Sequence, residues 1–146
     1  MKKSKNELED LFFRDEVYEI VESAITVYNN LGFGFLEAVY QEALEKEFRK
    51  RGINFESQKT LKIYYQGEEL SKKYIADLVY DDKIIIELKA ETGLTKVDYA
   101  QLINYLKATG KELGVLINFG NKKRLEWERY IFTNSTYLKK GNVPNE

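Results

Sequence analysis

Two carboxylates and a lysine stand where the sequence otherwise reads as the apolar core of a sheet. Asp77 interrupts the run YIADLVY (residues 74–80). Glu87 and Lys89 follow Ile84-Ile85-Ile86 in KIIIELK (residues 83–89). Residues two apart on a strand point to one face, so Glu87 and Lys89 share a face. Charged groups at the middle of a sheet are costly to bury without a counter-ion or a purpose. Asp77 and Glu87 on adjacent strands can hold a divalent ion, and Lys89 can then reach a water activated by that ion or an anionic substrate oxygen. Such an ion neutralises charge developing on a phosphoryl group. Three helical residues join them. Glu37 lies in a first helical turn, where the helix dipole favours a carboxylate. Gln101 and Tyr105 are four apart on one helix face. Each residue alone has an ordinary reading: a solvent-facing strand position for Asp77, a cross-face ion pair for Glu87 with Lys89, a dipole-favoured acid for Glu37, and an amphipathic boundary for Gln101 and Tyr105. Their conjunction points to a site.

Composition narrows the chemistry. The chain of 146 residues contains neither His nor Cys. Disulfide scaffolds, thiolate and imidazole zinc sites, His-ligated haem, and Ser-His or Cys-His nucleophile pairs are therefore excluded. Oxygen donors remain, and they select hard cations such as Mg²⁺ or Mn²⁺. Hydrophobic residues make up 43% and charged residues 32%, the balance of one globular domain. Net charge is −1, so a nucleic-acid surface would have to be local rather than global. No apolar run approaches the ~18 residues of a membrane span. Glu7, Glu9 and Asp10 occupy the place where a signal peptide needs its apolar segment. The expectation is a cytoplasmic protein.

The elements that must position these residues follow from periodicity. Val17, Ile20, Val21, Ala24, Tyr28 and Leu31 predict an amphipathic helix over 16–31, and Leu36, Val39, Tyr40, Ala43, Leu44 and Phe48 a second one closed by Gly52. Leu61, Ile63 and Tyr65 alternate before Gln66-Gly67. Residues 74–80 and 83–89 flank Asp81-Asp82 as a hairpin. Thr95 and Asp98 can cap a helix carrying Tyr99, Leu102, Ile103 and Leu106. LGVLINF (residues 113–119) reads as a central buried strand, and an alternating segment runs from Arg124 to Phe132. The order is helix, helix, three strands, helix, strand, strand. This predicts an α/β fold with a mixed sheet flanked by helices. The domain is expected over 15–133, with an N-terminal extension (1–14) and a polar C-terminal tail (134–146).

The hairpin register decides whether the carboxylates can meet. A two-residue loop pairs Tyr80 with Lys83 and puts Asp77 and Glu87 on opposite faces. A three-residue loop over 81–83 pairs Tyr80 with Ile84 and sets Asp77 opposite Glu87. A shared metal site requires the odd register or a bulge.

Asp77 with Glu87-Leu88-Lys89 resembles the D…(D/E)xK signature of the PD-(D/E)XK nuclease superfamily, whose α-β-β-β-α-β, restriction endonuclease-like core matches the predicted order. The chain is also similar to the GxxExxY family of that superfamily. The similarity runs through Gly34-Phe35-Leu36-Glu37-Ala38-Val39-Tyr40, IIIELKA (84–90), AQLINYLKATG (100–110) and LGVLINFG (113–120). The resemblance covers roughly residues 16–132. It departs from the family pattern at Tyr28, Phe33 and Asp98, where His, Pro and His are common. By this resemblance Asp77 and Glu87 would ligate Mg²⁺ or Mn²⁺, with the Leu88 carbonyl as a third ligand and Glu37 completing the site from its helix. Lys89 would orient the attacking water or stabilise the transition state. Gln101 and Tyr105 resemble the QxxxY motif that lines the site in RecB-like nucleases.

The leading expectation is a metal-dependent phosphodiesterase acting on nucleic acid, DNA ahead of RNA, with no membrane role. Lys59, Lys62, Lys72, Lys73 and Lys83, and Lys122-Lys123-Arg124, are the cations available to phosphates, although solubilising surface explains most of them. So weakly charged a chain would bind loosely, which suggests recruitment by a protein partner. Two other readings stand beside it: a catalytically silent nuclease-like binding module or complex subunit, and a structural protein whose carboxylates merely pair with Lys89.

Overall fold

The computed structural model describes residues 13–133 and 136–140. The acidic stretch Glu7, Glu9 and Asp10 and the terminal residues 141–146 lie outside the described residues. The elements run α1 (Arg14–Leu31), α2 (Glu37–Lys50), β1 (Phe55–Tyr65), β2 (Glu68–Tyr80), β3 (Ile84–Lys89), α3 (Lys96–Thr109), β4 (Leu113–Asn118), β5 (Glu126–Thr133) and β6 (Thr136–Lys140). The six strands form one sheet in chain order. All neighbours are antiparallel except β3 and β4, which α3 joins as a parallel crossover. This is the mixed α/β arrangement the sequence predicts. The sheet also runs past residue 133, the expected end of the domain, because β6 pairs with β5. No helix among the described residues is long and apolar enough to cross a membrane.

Two apolar layers hold the sheet. One face packs α1 (Val17, Ile20, Ala24) and α2 (Tyr40, Leu44, Phe48) against Leu78, Ile84, Ile86, Leu88, Val115 and Ile117. The other packs α3 (Leu102, Ile103, Leu106) against Tyr74, Ala76, Val79, Ile85, Leu116 and Tyr130. β3 and β4 are covered on both sides, which is why their sequences read as unbroken apolar runs. Thr95 and Asp98 form a capping box at the start of α3. Removing such a cap costs about 1 kcal/mol.

The β2–β3 hairpin takes the odd register. Tyr80 pairs with Ile84, Val79 with Ile85 and Leu78 with Ile86. Asp81 and Asp82 both take left-handed backbone (φ 48° and 56°), which Asp tolerates better than most residues. Lys83 donates its N–H to the Tyr80 carbonyl at 2.9 Å and remains as the third loop residue. That extra residue sets the parity of everything beyond it.

Alternation alone does not describe β2. Tyr74 and Ala76 belong to the α3 layer, whereas Leu78 and Tyr80 belong to the α1/α2 layer. The strand therefore changes face at Asp77. β1 does the same: Phe55 packs with the first layer, and Leu61 and Ile63 with the second. Gln58, which would pair with Asp77, has φ 51° and drops out of the ladder between Ser57↔Leu78 and Lys59↔Ala76. The two strands twist over together at this point.

Candidate functional site

The β2–β3 ladder ends at Leu78↔Ile86, one residue short of the carboxylates. Side chains continue it. The Asp77 N–H donates to Glu87 Oε2 at 2.9 Å, and the Leu88 N–H donates to Asp77 Oδ2 at 2.8 Å. Each strand thus lends a backbone donor to the other's carboxylate, in the gap the face change opens. Glu87 is 9% exposed and Asp77 is half-buried. No lysine or arginine forms an ion pair with either among the described residues. Burial, then the Asp77 charge, pushes Glu87 up to about 7. Asp77 is also raised, chiefly by burial, against the lowering effect of the Leu88 N–H and of Lys89.

Lys89 does not neutralise that pair. Its Nζ lies 3.7 Å from Asp98 Oδ1 and donates to Gln101 Oε1 at 3.3 Å. The ion-pair partner of Lys89 is Asp98, at the start of α3, while its charge still lowers Asp77 and Glu87 from a distance. Asp98 is buried (7% exposed). Burial alone would raise it, but hydrogen bonds from Glu91 and Thr95 and the charge of Lys89 hold it below the usual range. Its partner Glu91 is pushed up to about 7, mainly by sharing a hydrogen bond with the Asp98 carboxyl.

Glu37 reaches the same place from the other layer. Burial raises its carboxyl, and the neighbouring Asp77 charge raises it further. No group of three acidic side chains placed to hold an ion is found among the described residues. Tyr105 stacks on Tyr74 at 3.6 Å between ring centroids. Burial and the Glu87 charge raise its phenol. The six candidate side chains are thus linked in pairs: Asp77 and Glu87 through each other's backbones, Lys89 to Gln101, Tyr105 to the Glu87 charge and Glu37 to the Asp77 charge.

The glycine, glutamate and tyrosine at 34, 37 and 40 divide the work of building this edge. Gly34 adopts φ 109°, closed to residues with a side chain. Tyr40 is fully buried and stacks on Phe119 at 4.6 Å. Its hydroxyl donates to the Gly32 carbonyl at 2.6 Å and accepts from the Phe35 N–H at 3.2 Å. The loop is thereby pinned, and Glu37 is left exposed at the mouth of the site.

Several contributors were not legible beforehand. Gln41, one turn after Glu37, donates to the Asp77 carbonyl at 2.8 Å and ties α2 to β2. Tyr74 is buried beside Glu87, and burial and that carboxylate's charge raise its phenol. Glu91 continues the alternation of Glu87 and Lys89, and that spacing was the available signal. Asn118, fully buried, clamps Glu91 by accepting from its N–H (2.9 Å) and donating to its carbonyl (2.8 Å).

The donor set suits a hard dication. Two adjacent carboxylates, both raised by burial and one by its neighbour, form no ion pair among the described residues, and an oxygen-ligated ion of charge +2 would relieve both. An ion held by two carboxylates takes its remaining ligands from backbone carbonyl, water or substrate, as Mg²⁺ commonly does.

A family model described as the PD-(D/E)XK nuclease superfamily matches residues 14–130. No curated protein matches the chain. Three solved chains do. One is the crystal structure of SSO0001, with 22% identity and a TM-score of 0.49 over 83% of this chain; this chain spans 60% of the SSO0001 chain.

Proposed function

The chain belongs to the PD-(D/E)XK nuclease superfamily, and from that premise we propose that it is a metal-dependent nuclease, hydrolysing phosphodiester bonds of DNA or RNA. The observation that carries this reading is the Asp77–Glu87 pair, which forms no ion pair among the described residues where two strands part. Asp77, Glu87 and the Leu88 carbonyl would hold Mg²⁺ or Mn²⁺, with Glu37 at the edge. When bound, that ion would supply charge neutralisation at the scissile phosphate and a more acidic water. Lys89, steadied by Asp98 and Gln101, would direct its ammonium at the attacking water or at the phosphate oxygens as charge develops. Gln101 and Tyr105 would line the wall on the α3 side. Within the superfamily we assign the chain to the GxxExxY family, supported by the separate structural tasks of Gly34, Glu37 and Tyr40.

The test is hydrolysis of labelled DNA and RNA, single- and double-stranded, in Mg²⁺, in Mn²⁺ and in EDTA. Wild type should cleave only with an ion, and Glu87→Gln and Lys89→Met should cleave far more slowly. Nucleic-acid binding without cleavage in either ion would establish the silent binding module instead.

A further inference from the structure

We infer that the substrate is a single strand, bound in the groove beside the carboxylates with a base on Phe33 and phosphates on Lys122, Lys123 and Arg124; this rests on the nuclease reading above. The groove, about 490 Å³, is lined by Phe33, Thr92, Gly120, Asn121 and those three cations. It adjoins the site through chain neighbours. Thr92 follows Glu91 directly, and Phe33 lies on the pinned loop that leads to Glu37.

Three observations point to nucleic acid. First, the cations are exposed, and none has an acidic partner among the described residues. Four of the five hairpin lysines differ: Lys59, Lys62, Lys73 and Lys83 each pair with a carboxylate, and Lys72 alone forms no ion pair among the described residues. Free cations gathered in a concave surface attract a polyanion; paired ones attract it much less. Second, the loop that carries them is held rigidly. Gly120 packs so closely that a Cβ there would lie 2.3 Å from the Glu91 carbonyl oxygen. Asn118 accepts from the Gly120 N–H at 3.1 Å, Tyr28 donates to the Asn121 carbonyl, and Asn121 accepts from the Lys123 N–H at 2.8 Å. Third, Phe33 is 54% exposed and makes no ring contact among the described residues, whereas Phe35 sets its edge against Tyr40. An unpartnered aromatic face beside phosphate-binding cations suits a base already out of a duplex. A duplex keeps its bases stacked and offers Phe33 nothing.

Fluorescence anisotropy of labelled oligonucleotides in EDTA tests this on the full chain without cleavage. Single-stranded oligo-dU and oligo-U should bind more tightly than a duplex of equal length, and since they share a base, whichever binds better identifies the sugar. Phe33→Ala should weaken single-strand binding about tenfold, since stacking on an aromatic is worth about 1–3 kcal/mol per base. Phe33→Trp should restore it, with Trp fluorescence quenched beyond any change seen in wild type. Replacing Lys122, Lys123 and Arg124 with Gln should lower the slope of log affinity against log salt by about 2. Equal binding of duplex, or an unchanged affinity for Phe33→Ala with an unchanged thermal midpoint, overturns the proposal. Cleavage in Mg²⁺ is scored separately. Binding at Phe33 without cleavage defeats the nuclease reading alone, and cleavage indifferent to Phe33 defeats the groove alone.

Discussion

Two acidic pairs lie side by side in this protein, and they are built differently. Asp77 and Glu87 come from adjacent strands and accept backbone N–H groups, with no cation partner among the described residues. Glu91 and Asp98 come from a loop and a helix start, with Lys89, the Thr95 cap and the Asn118 clamp around them. Both contain a glutamate raised to about 7, but burial leads in Glu87 and proton sharing with Asp98 leads in Glu91. The first pair has an unmet need for positive charge. The second has met its own, and in doing so it fixes the ammonium of Lys89. One is suited to take up an ion, the other to hold the lysine beside it.

The sharpest way to break this comparison is to neutralise one member of each pair. Glu87→Gln should lower turnover by about 10³-fold, the scale of losing a principal electrostatic stabiliser. It should also abolish the heat of Mn²⁺ binding in calorimetry. A variant that still binds Mn²⁺ as wild type does would remove the distinction between the pairs.

Gly120→Ala tests the second pair through the backbone. A Cβ would meet the Glu91 backbone at 2.3 Å, so the strands or the loop must shift. Overpacking of this kind costs about 1–3 kcal/mol, and the urea midpoint should fall accordingly. Mn²⁺ affinity measured on the fraction that remains folded should survive, because Asp77 and Glu87 do not contact that turn.

Acidity gives the next test. A carboxyl raised in the folded state binds more protons there than when unfolded, so stability falls as pH rises from the unfolded value toward the folded one. In EDTA the thermal midpoint should therefore decline between pH 4.5 and about 7, the window set by Glu87 and Glu91. The Glu87 share of the loss is at most about 3 kcal/mol. Glu87→Gln should make this decline shallower, leaving the share that belongs to Glu91. With Mg²⁺ present the trend reverses, since the ion requires the ionised pair, and activity should climb through pH 7. A wild-type midpoint that rises over the same window in EDTA would contradict the burial of Glu87.

The smallest effect belongs to Asp98→Asn. It removes the charge beside Lys89 while leaving an amide able to cap α3. Turnover should drop about tenfold with little change in Mn²⁺ affinity, an amount close to 1.4 kcal/mol. Loss of ion binding there would show that the two pairs act as one.

Much of this was legible in the sequence. Apolar spacing reports burial along the chain, so it located three helices and the strands around them, and it made Asp77, Glu87 and Lys89 conspicuous as polar residues in apolar runs. It also reduced their meeting to a single question of parity in the 81–83 loop. The answer needed tertiary structure, because two successive left-handed aspartates and one extra residue set the register, and hydrophobic periodicity carries no record of loop geometry. The face change at Gln58 and Asp77 was equally hidden, since it depends on two strands twisting together. Partner choice was decided the same way. Lys89 lies two residues from Glu87, yet it pairs with Asp98 from another element, and Gln41 and Asn118 steady the site from 36 and 27 residues away. Periodicity tells which side chains are buried; only the folded chain determines which buried polar groups find each other, because that depends on where separate elements cross.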